Sequence, residues 1–321
     1  MSLSDIEAVL DALFLPLEDG AIELPETAAG VFLRARAGNW LRRWRDIACE
    51  QTFKPFADEL ASAGASFAGS ADGKGLVLLL PPRQRDEARV LLAQAVRRAG
   101  NGGVVVACQP NNEGARSGEA DLARLAGNVQ SRSKHKCRVY WCRIDDARVD
   151  RMLLDGWQAL DAPRPIADGR WTSRPGLFAW DRVDAASALL VERLPAGLHG
   201  RVADLGAGYG YLAAEVVRRC ADVEAIDLYE AEQRAEEPAR ANLAQACRDA
   251  GRDVAVAFHW HDVARGLADR YDAIVSNPPF HQGRADQPEL GRAFIEVAAA
   301  ALEADGVIEE AVKPEEQPDE A

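Results

Sequence analysis

Asp204-Leu205-Gly206-Ala207-Gly208-Tyr209-Gly210 follows a short apolar run, Arg201–Leu205, and opens a segment of helical spacing, Tyr211–Cys220, with Leu212, Val216 and Val217 on one face. Glycine permits a tight turn and a close backbone approach to a ligand, and a helix start presents free N–H groups to it. A dinucleotide fingerprint would need a further glycine where Tyr211 stands. Downstream, Val223–Asp227 reads as a second strand and Glu237–Ala250 as a helix, with Pro238 tolerated in its first turn. Val254–Phe258 and Tyr271–Ser276 read as a third and a fourth strand. Glu289–Leu302 reads as a helix with Leu290, Phe294, Val297 and Ala301 on its apolar face. Strands alternating with helices in this way imply an α/β, doubly wound parallel sheet.

The rest of the chain has a weaker version of the same rhythm. Candidate strands are Val31–Ala35, Leu76–Leu80, Val104–Cys108 and Cys137–Arg143, and candidate helices are Pro55–Ala63, Asp86–Ala99 and Glu119–Ala126. Leu76–Pro82 (LVLLLPP) precedes a helix and the strand Gly102–Cys108; Ala273–Pro279 (AIVSNPP) precedes a helix and Gly306–Val312. This repeated order suggests two tandem Rossmann-like domains, with chemistry lost from the first. Leu80 stands where the second copy has Asn277, and no D-x-G-x-G-x-G occurs before residue 200. A length of 321 residues suits two domains. The expected boundaries are 1–160 for a degenerate domain, 161–175 for a polar, proline-bearing linker and 176–321 for the catalytic domain.

Hydrophobic residues at 48% and charged residues at 28% describe an ordinary soluble globular protein. The net charge of −13 disfavours a generic nucleic-acid coat, but Leu302–Ala321 alone contributes −7, from eight acids and one lysine. Ser131–Arg143 holds five bases (Arg132, Lys134, Lys136, Arg138, Arg143) and no acid. No stretch is apolar enough to span a bilayer, and the acidic Met1–Leu10 is unlike a signal peptide. Six scattered cysteines without a C-x-x-C pair read as reduced thiols, so a cytoplasmic location is expected.

An acid two residues before the first glycine is typical of S-adenosylmethionine sites, where a carboxylate pairs with the ligand's ammonium group. Asp204, Gly206, Ala207, Gly208 and Gly210 form that candidate cofactor loop. Asp227 ends the second expected strand, where an acid accepts from ribose hydroxyls, unless it is a solvated strand-end acid. Asp262 follows the third strand and either accepts from an adenine amino group or caps Val263–Leu267. Leu228 and Val263, their C-terminal neighbours, and Asn277 complete the expected cofactor set.

Asn277-Pro278-Pro279-Phe280 follows the fourth strand and is the most specific feature in the chain. Two prolines stiffen the loop, which holds the Asn277 side chain and the Pro278 carbonyl as fixed acceptors. An exocyclic amine on a nucleobase is a poor nucleophile because its lone pair is delocalised into the ring. Two acceptors on its N–H groups would aim that lone pair at a methyl group and stabilise the positive charge developing on nitrogen. No strong general base is required at this step, since in-line positioning supplies much of the rate. Phe280 would stack on an extruded base. A metal triad of His259, His261 and His281 is imaginable, but methyl transfer needs no metal; His281 is placed near the substrate.

These residues resemble a class I S-adenosylmethionine-dependent methyltransferase. Within that class the chain is similar to the RsmC family of small-subunit ribosomal RNA guanine-N2 methyltransferases. The resemblance rests on Trp171-Thr172-Ser173-Arg174-Pro175-Gly176-Leu177-Phe178, Asp204–Gly210, Asp227 and Asn277-Pro278-Pro279-Phe280-His281-Gln282-Gly283. It implies tandem methyltransferase-like domains, the first degenerate, and transfer of a methyl group to N2 of a guanine in 16S rRNA, within the 30S subunit or an assembly intermediate. It places Phe178 and His281 near the substrate and makes Arg132, Lys134 and Lys136 candidate RNA contacts; that basic stretch is otherwise a solvated face. A monomer without membrane or metal is expected.

Family members continue past Glu289–Leu302 with an apolar strand, another helix and a terminal hairpin, whereas Gly306–Val312 carries Glu309 and Glu310. A buried strand does not easily hold adjacent carboxylates. The expectation is that the catalytic sheet lacks its C-terminal strands, leaving Tyr271–Ser276 as an edge or nearly so. Two rivals remain at this stage. One is an N-P-P methyltransferase acting on protein glutamine or adenine N6; the other is a non-catalytic RNA-binding or assembly protein inactivated by truncation.

Overall fold

Two groups of strands organise the computed structural model, which describes residues 3–23, 30–67, 75–279, 281–282, 285–286 and 288–310. They belong to two separate units, Met1–Ala162 and Pro163–Ala321.

In the first unit, α1 (Leu3–Glu18) precedes β1 (Gly30–Leu33), β2 (Ile47–Glu50), α2 (Lys54–Ser62), β3 (Leu76–Leu79) and α3 (Arg85–Ala99). There follow β4 (Val104–Pro110), α4 (Ala115–Ala126), β5 (Gln130–Lys134), β6 (Cys137–Arg143) and α5 (Arg151–Ala159). The sheet order is β2-β1-β3-β4-β6-β5, parallel through β4 and antiparallel at β6 and β5. Phe32, Leu78 and Val106 face Leu10, Leu13, Phe14 and Trp40 on one side. Val31, Val77 and Val105 face Leu92, Val96, Leu122 and Leu125 on the other. Burial on both faces is why these strands read as continuous apolar runs rather than alternating ones.

The second unit begins with a hairpin, β7 (Arg164–Ile166) and β8 (Trp171–Ser173), then α6 (Ala185–Arg193). It continues through β9 (His199–Leu205), α7 (Tyr211–Arg219), β10 (Asp222–Glu230), α8 (Glu236–Ala250), β11 (Ala255–Trp260) and β12 (Tyr271–Ser276). A small hairpin of β13 (His281–Gln282) and β14 (Ala285–Asp286), then α9 (Pro288–Ala300) and β15 (Leu302–Glu310), complete it. The sheet is parallel in the order β11-β10-β9-β12-β15.

The two sheets share a run. In each, the sheet's first strand (β1, β9) lies between its second (β2, β10) and the strand that leads into Pro-Pro (β3, β12), with β4 or β15 next outward. The repeated sequence order therefore corresponds to a repeated place in the sheet.

Residues 161–175 are not a free linker: the β7–β8 hairpin buries Ile166 and Trp171 in the core of the second unit. Tyr271–Ser276 is not itself the edge but lies one strand in from it among the described residues, because β15 pairs with it, setting Glu309 against Val275 and Glu310 against Ser276. Adjacent carboxylates are excluded only from a strand buried on both faces. Instead β15 is the outermost described strand, and Glu309 and Glu310 are half-buried. Ile308 supplies its apolar contact, and charge on an outer strand also discourages edge-to-edge pairing.

Candidate functional site

In an open parallel sheet, ligands bind beyond the carboxyl ends of the strands where the strand order reverses. Here that point lies between β9 and β12. The glycine loop leaves the end of β9 and Asn277-Pro278-Pro279 leaves the end of β12, so the two strongest motifs flank one crevice. Pairing of Asp204 with Val275 and Leu205 with Ser276 fixes their relative level, and Ser276 Oγ donates to the Leu205 carbonyl at 2.8 Å.

Gly206, Gly208 and Gly210 all have positive φ. At Gly210 a Cβ would lie 2.9 Å from Leu243 and 3.3 Å from Ala239, so glycine is needed there for packing as well as for conformation. Asp204 is fully buried and its Oδ2 accepts from the Ala213 N–H in the first turn of α7 at 3.0 Å. Its Oδ1 is buried without a partner among the described residues. Burial, only partly opposed by the Ala213 N–H, pushes this carboxyl up to about 7. A cation beside the loop would relieve that strain on the carboxylate.

Asp227 is not at the loop. Strand β10 runs on to Glu230, and Asp227 lies within it, paired in register with Ala203. Its Oδ2 accepts from Arg201 Nε at 2.6 Å and its Oδ1 meets His259 Nε2 at 2.9 Å. Leu228 is buried in the core between the sheet and the helices. The acid at the strand end is Glu230, which sequence reading missed. Its Oε2 accepts from the Gly208 N–H at 2.7 Å and its Oε1 from the Glu232 N–H at 2.8 Å. Burial raises its pKa, and those backbone donors oppose the rise. The strand ends three residues later than expected, at Glu230 rather than Asp227.

Asp262 caps the turn Val263–Arg265, its Oδ1 accepting from the Ala264 N–H at 3.2 Å, and Val263 is buried. His261 contacts the Gly266 carbonyl through Nε2 at 2.8 Å. With His259 on Asp227, neither histidine faces a shared centre, and no group of three metal-ligating side chains occurs among the described residues.

Asn277 is half-buried. Its Nδ2 donates to Asp184 Oδ2 at 3.0 Å and to Ser187 Oγ at 2.8 Å. Asp184 is the N-cap of α6 and also accepts from the Ser187 N–H at 3.0 Å. Pro278 is buried and Pro279 half-buried. Phe280, and the side chain of His281, lie outside the described residues. Phe178, in the loop before α6, is 70% exposed.

A second tie was also invisible in the sequence. Asn242 of α8 is buried; its Oδ1 accepts from the Thr172 N–H, and its Nδ2 donates to the Thr172 and Tyr209 carbonyls at 2.8 and 2.7 Å. It fastens β8 to the glycine loop. At the end of β8, Ser173 Oγ and Arg174 Nε are buried without partners among the described residues.

In the first unit, the basic stretch is largely engaged. Arg132 pairs with Asp19 and Arg138 with Glu119, while Arg143 donates to the carbonyls of Gly102 and Glu23 at 2.7 and 2.8 Å. Lys134 and Lys136 flank the tip of the β5–β6 hairpin. At the end of β1, where the second unit has its glycine loop, Arg34 pairs with Glu87 at 2.6 Å and Arg36 stacks on the Phe56 ring.

Residues 168–317 match the family model of the methyltransferase small domain. The chain is 32% identical over 227 residues to a ribosomal RNA small subunit methyltransferase C from Pseudomonas paraeruginosa, the match covering 70% of this chain and 65% of the relative. It is 29% identical over 202 residues to a protein of the same name from Serratia proteamaculans, covering 63% of this chain and 55% of the relative. The chain thus spans less than two thirds of the length of these curated relatives. Among solved structures, the 16S rRNA N2 methyltransferase RsmC of T. thermophilus, in complex with AdoMet and guanosine, superposes with a TM-score of 0.70 at 25% identity. That superposition covers 94% of this chain and 82% of the other.

Proposed function

We propose that this chain, which matches the methyltransferase small domain over residues 168–317 and is similar in sequence and fold to RsmC enzymes, methylates the exocyclic N2 of a guanine in 16S rRNA, using S-adenosylmethionine. The observation that carries the reading is the convergence of the glycine loop and the Asn277-Pro278-Pro279 loop on one crevice at the strand-order reversal.

The residues present suit the cofactor. Asp204 offers a half-satisfied carboxylate to a cation, and Glu230 sets a second carboxylate beside Gly208, where ribose hydroxyls would donate to it. We assign the ribose role to Glu230 rather than Asp227. Asp262 and Val263 would line the adenine end, with Asp262 retaining its capping bond. Ser173 and Arg174, on the segment tied to the loop by Asn242, offer unpartnered donors to the cofactor's carboxylate end. The cofactor, when bound, supplies a methyl group already activated on a sulfonium.

Asn277 and the Pro278 carbonyl would accept the two N–H groups of the amine, orient its lone pair and stabilise positive charge as the methyl bond forms. Phe280 and Phe178 are the stacking candidates, with His281 nearby. The first unit would serve as a methyltransferase-like RNA-holding domain, with Arg34 and Arg36 standing where the glycine loop would be and with Lys134 and Lys136 toward phosphate. Of the expected basic contacts, Arg132 contributes least because Asp19 already holds it. The substrate form would be the 30S subunit or an assembly intermediate, and the protein a cytoplasmic monomer. Among the described residues no helix is long and apolar enough to cross a membrane.

Radiolabelled methyl transfer tests this reading, with 30S subunits, naked 16S rRNA and a protein release factor offered in parallel. Labelled N2-methylguanine in the rRNA supports it; label on the release factor alone, or on adenine, overturns it.

A further inference from the structure

The side-chain amide of Asn277 has its two N–H groups directed at different acceptors, Asp184 Oδ2 at 3.0 Å and Ser187 Oγ at 2.8 Å. The Ser187 hydroxyl lies 3.4 Å from the same Asp184 oxygen and has its own proton to donate there. Every proton then has one place. A carboxylate accepts only, so it takes one amide N–H; the serine hydroxyl donates to the carboxylate and accepts the other amide N–H. Asp184 is itself held by capping α6 through the Ser187 N–H at 3.0 Å. The reverse orientation of the Asn277 amide would bring its Oδ1 against a carboxylate, two acceptors facing each other.

From this arrangement we infer that Asp184 and Ser187 are positioning residues that lock the Asn277 amide with Oδ1 turned toward the crevice, making the site selective for a nucleophile that donates N–H. The inference deepens the proposed guanine-N2 reading and rests on it for the identity of the amine. With both amide protons spent inside the protein, Asn277 presents only an acceptor. An amine with N–H groups satisfies it, whereas a carbonyl or ring nitrogen presented there leaves it unpaired, and a site with an unmet polar group rejects such a ligand strongly. Neither residue touches the reacting atoms, so both act through Asn277. Asp184 lies 93 positions away in the chain, with no motif linking the two.

Asp184→Asn separates positioning from stability. Asparagine caps a helix about as well as aspartate, so α6 is retained, but the introduced amide no longer enforces one orientation of Asn277. The expected result is a fall in kcat of about 10- to 100-fold, with S-adenosylmethionine Kd and the unfolding midpoint nearly unchanged. Asp184→Ser is the second variant: it keeps a good cap while removing the carboxylate, and is expected to lower kcat similarly. Ser187→Ala removes one acceptor and should have a smaller effect in the same direction. A readout independent of any substrate is the side-chain amide signal of Asn277 in protein labelled with nitrogen-15 at asparagine, assigned by its loss in Asn277→Ala. Its protons should exchange slowly with solvent in the parent protein and faster in Asp184→Asn. Unchanged exchange, unchanged kcat, or a kcat loss matched by equal losses of cofactor affinity and stability would overturn the inference. If the parent protein methylates no rRNA guanine, the functional reading fails, and the amide exchange still decides the positioning claim.

Discussion

Replacing Asp204 by asparagine removes a charge without changing shape, and it should make the protein more stable and a poorer cofactor binder. Burial raises the carboxyl from 3.8 to about 7. That difference corresponds to roughly 4 kcal/mol of preference for the protonated form in the folded state. The folded pKa lies above the unfolded one, so this stabilisation is complete below about pH 3.8 and is lost as pH rises through about 7. In Asp204→Asn that loss is absent. The new amide keeps an acceptor for the Ala213 N–H but places an NH2 group where Oδ1 had no partner, which offsets roughly 1–3 kcal/mol. The net expectation is a variant about 1–3 kcal/mol more stable than the parent at pH 8.5, with the advantage gone near pH 4. Cofactor binding should move oppositely. A cation beside the carboxylate lowers its pKa, so the parent should release a proton on binding S-adenosylmethionine near pH 7 and bind more tightly as pH rises through that range. The variant should bind about 10- to 100-fold more weakly with little pH dependence. Denaturant melts at the two pH values and calorimetry in buffers of different ionisation enthalpy measure all of this. Equal affinity in the variant, or no proton release by the parent, would refute the reasoning.

Glu230→Gln and Asp227→Asn should divide by cofactor affinity: the first weakens S-adenosylmethionine binding by about 10-fold or more and costs roughly 1–3 kcal/mol by leaving the Gly208 or Glu232 N–H without an acceptor, while the second costs a similar roughly 1–3 kcal/mol of stability through Arg201 and His259 but leaves Kd nearly intact. Loss of cofactor affinity in Asp227→Asn alone would restore the ribose role to that residue. Gly210→Ala combines a φ of +80° with a Cβ 2.9 Å from Leu243, and urea unfolding should show a loss of about 1–3 kcal/mol. Asn242→Ala leaves the Thr172 and Tyr209 carbonyls unmet and should cost about 1–3 kcal/mol, with faster amide exchange in both the glycine loop and β8; protection unchanged in β8 would contradict its role as a tie.

What the sequence made legible follows from how local each signal is. The glycine loop and Asn277-Pro278-Pro279 announce themselves because backbone conformation demands those residue types in place. The parallel strands were readable because burial on both faces leaves apolar runs. Strand β5, Gln130–Lys134, carries no such run, being exposed or half-exposed along its length, and no sequence reading found it. Asp227 was misread because its partners, Arg201 and His259, come from neighbouring strands, and nothing local distinguishes a paired mid-strand acid from a free strand-end acid. Glu230 was passed over for the same reason in reverse. The Asp184, Ser187 and Asn242 contacts cross long stretches of chain, so only the fold brings them to the motifs they hold. For β15, the cost of burying carboxylates was judged correctly but applied to the wrong environment, an outermost strand.

In the proposed reaction Asn277, at the crevice shared with the glycine loop, would grip a guanine amine for methylation. Its most direct test is mass-spectrometric quantification of N2-methylguanine in 16S rRNA after incubation of 30S subunits with S-adenosylmethionine and either the parent protein or Asn277→Ala. One new N2-methylguanine is expected with the parent, and at least about a 100-fold slower reaction with the variant, at near-equal cofactor affinity. Methylation by Asn277→Ala at the parent's rate would contradict it.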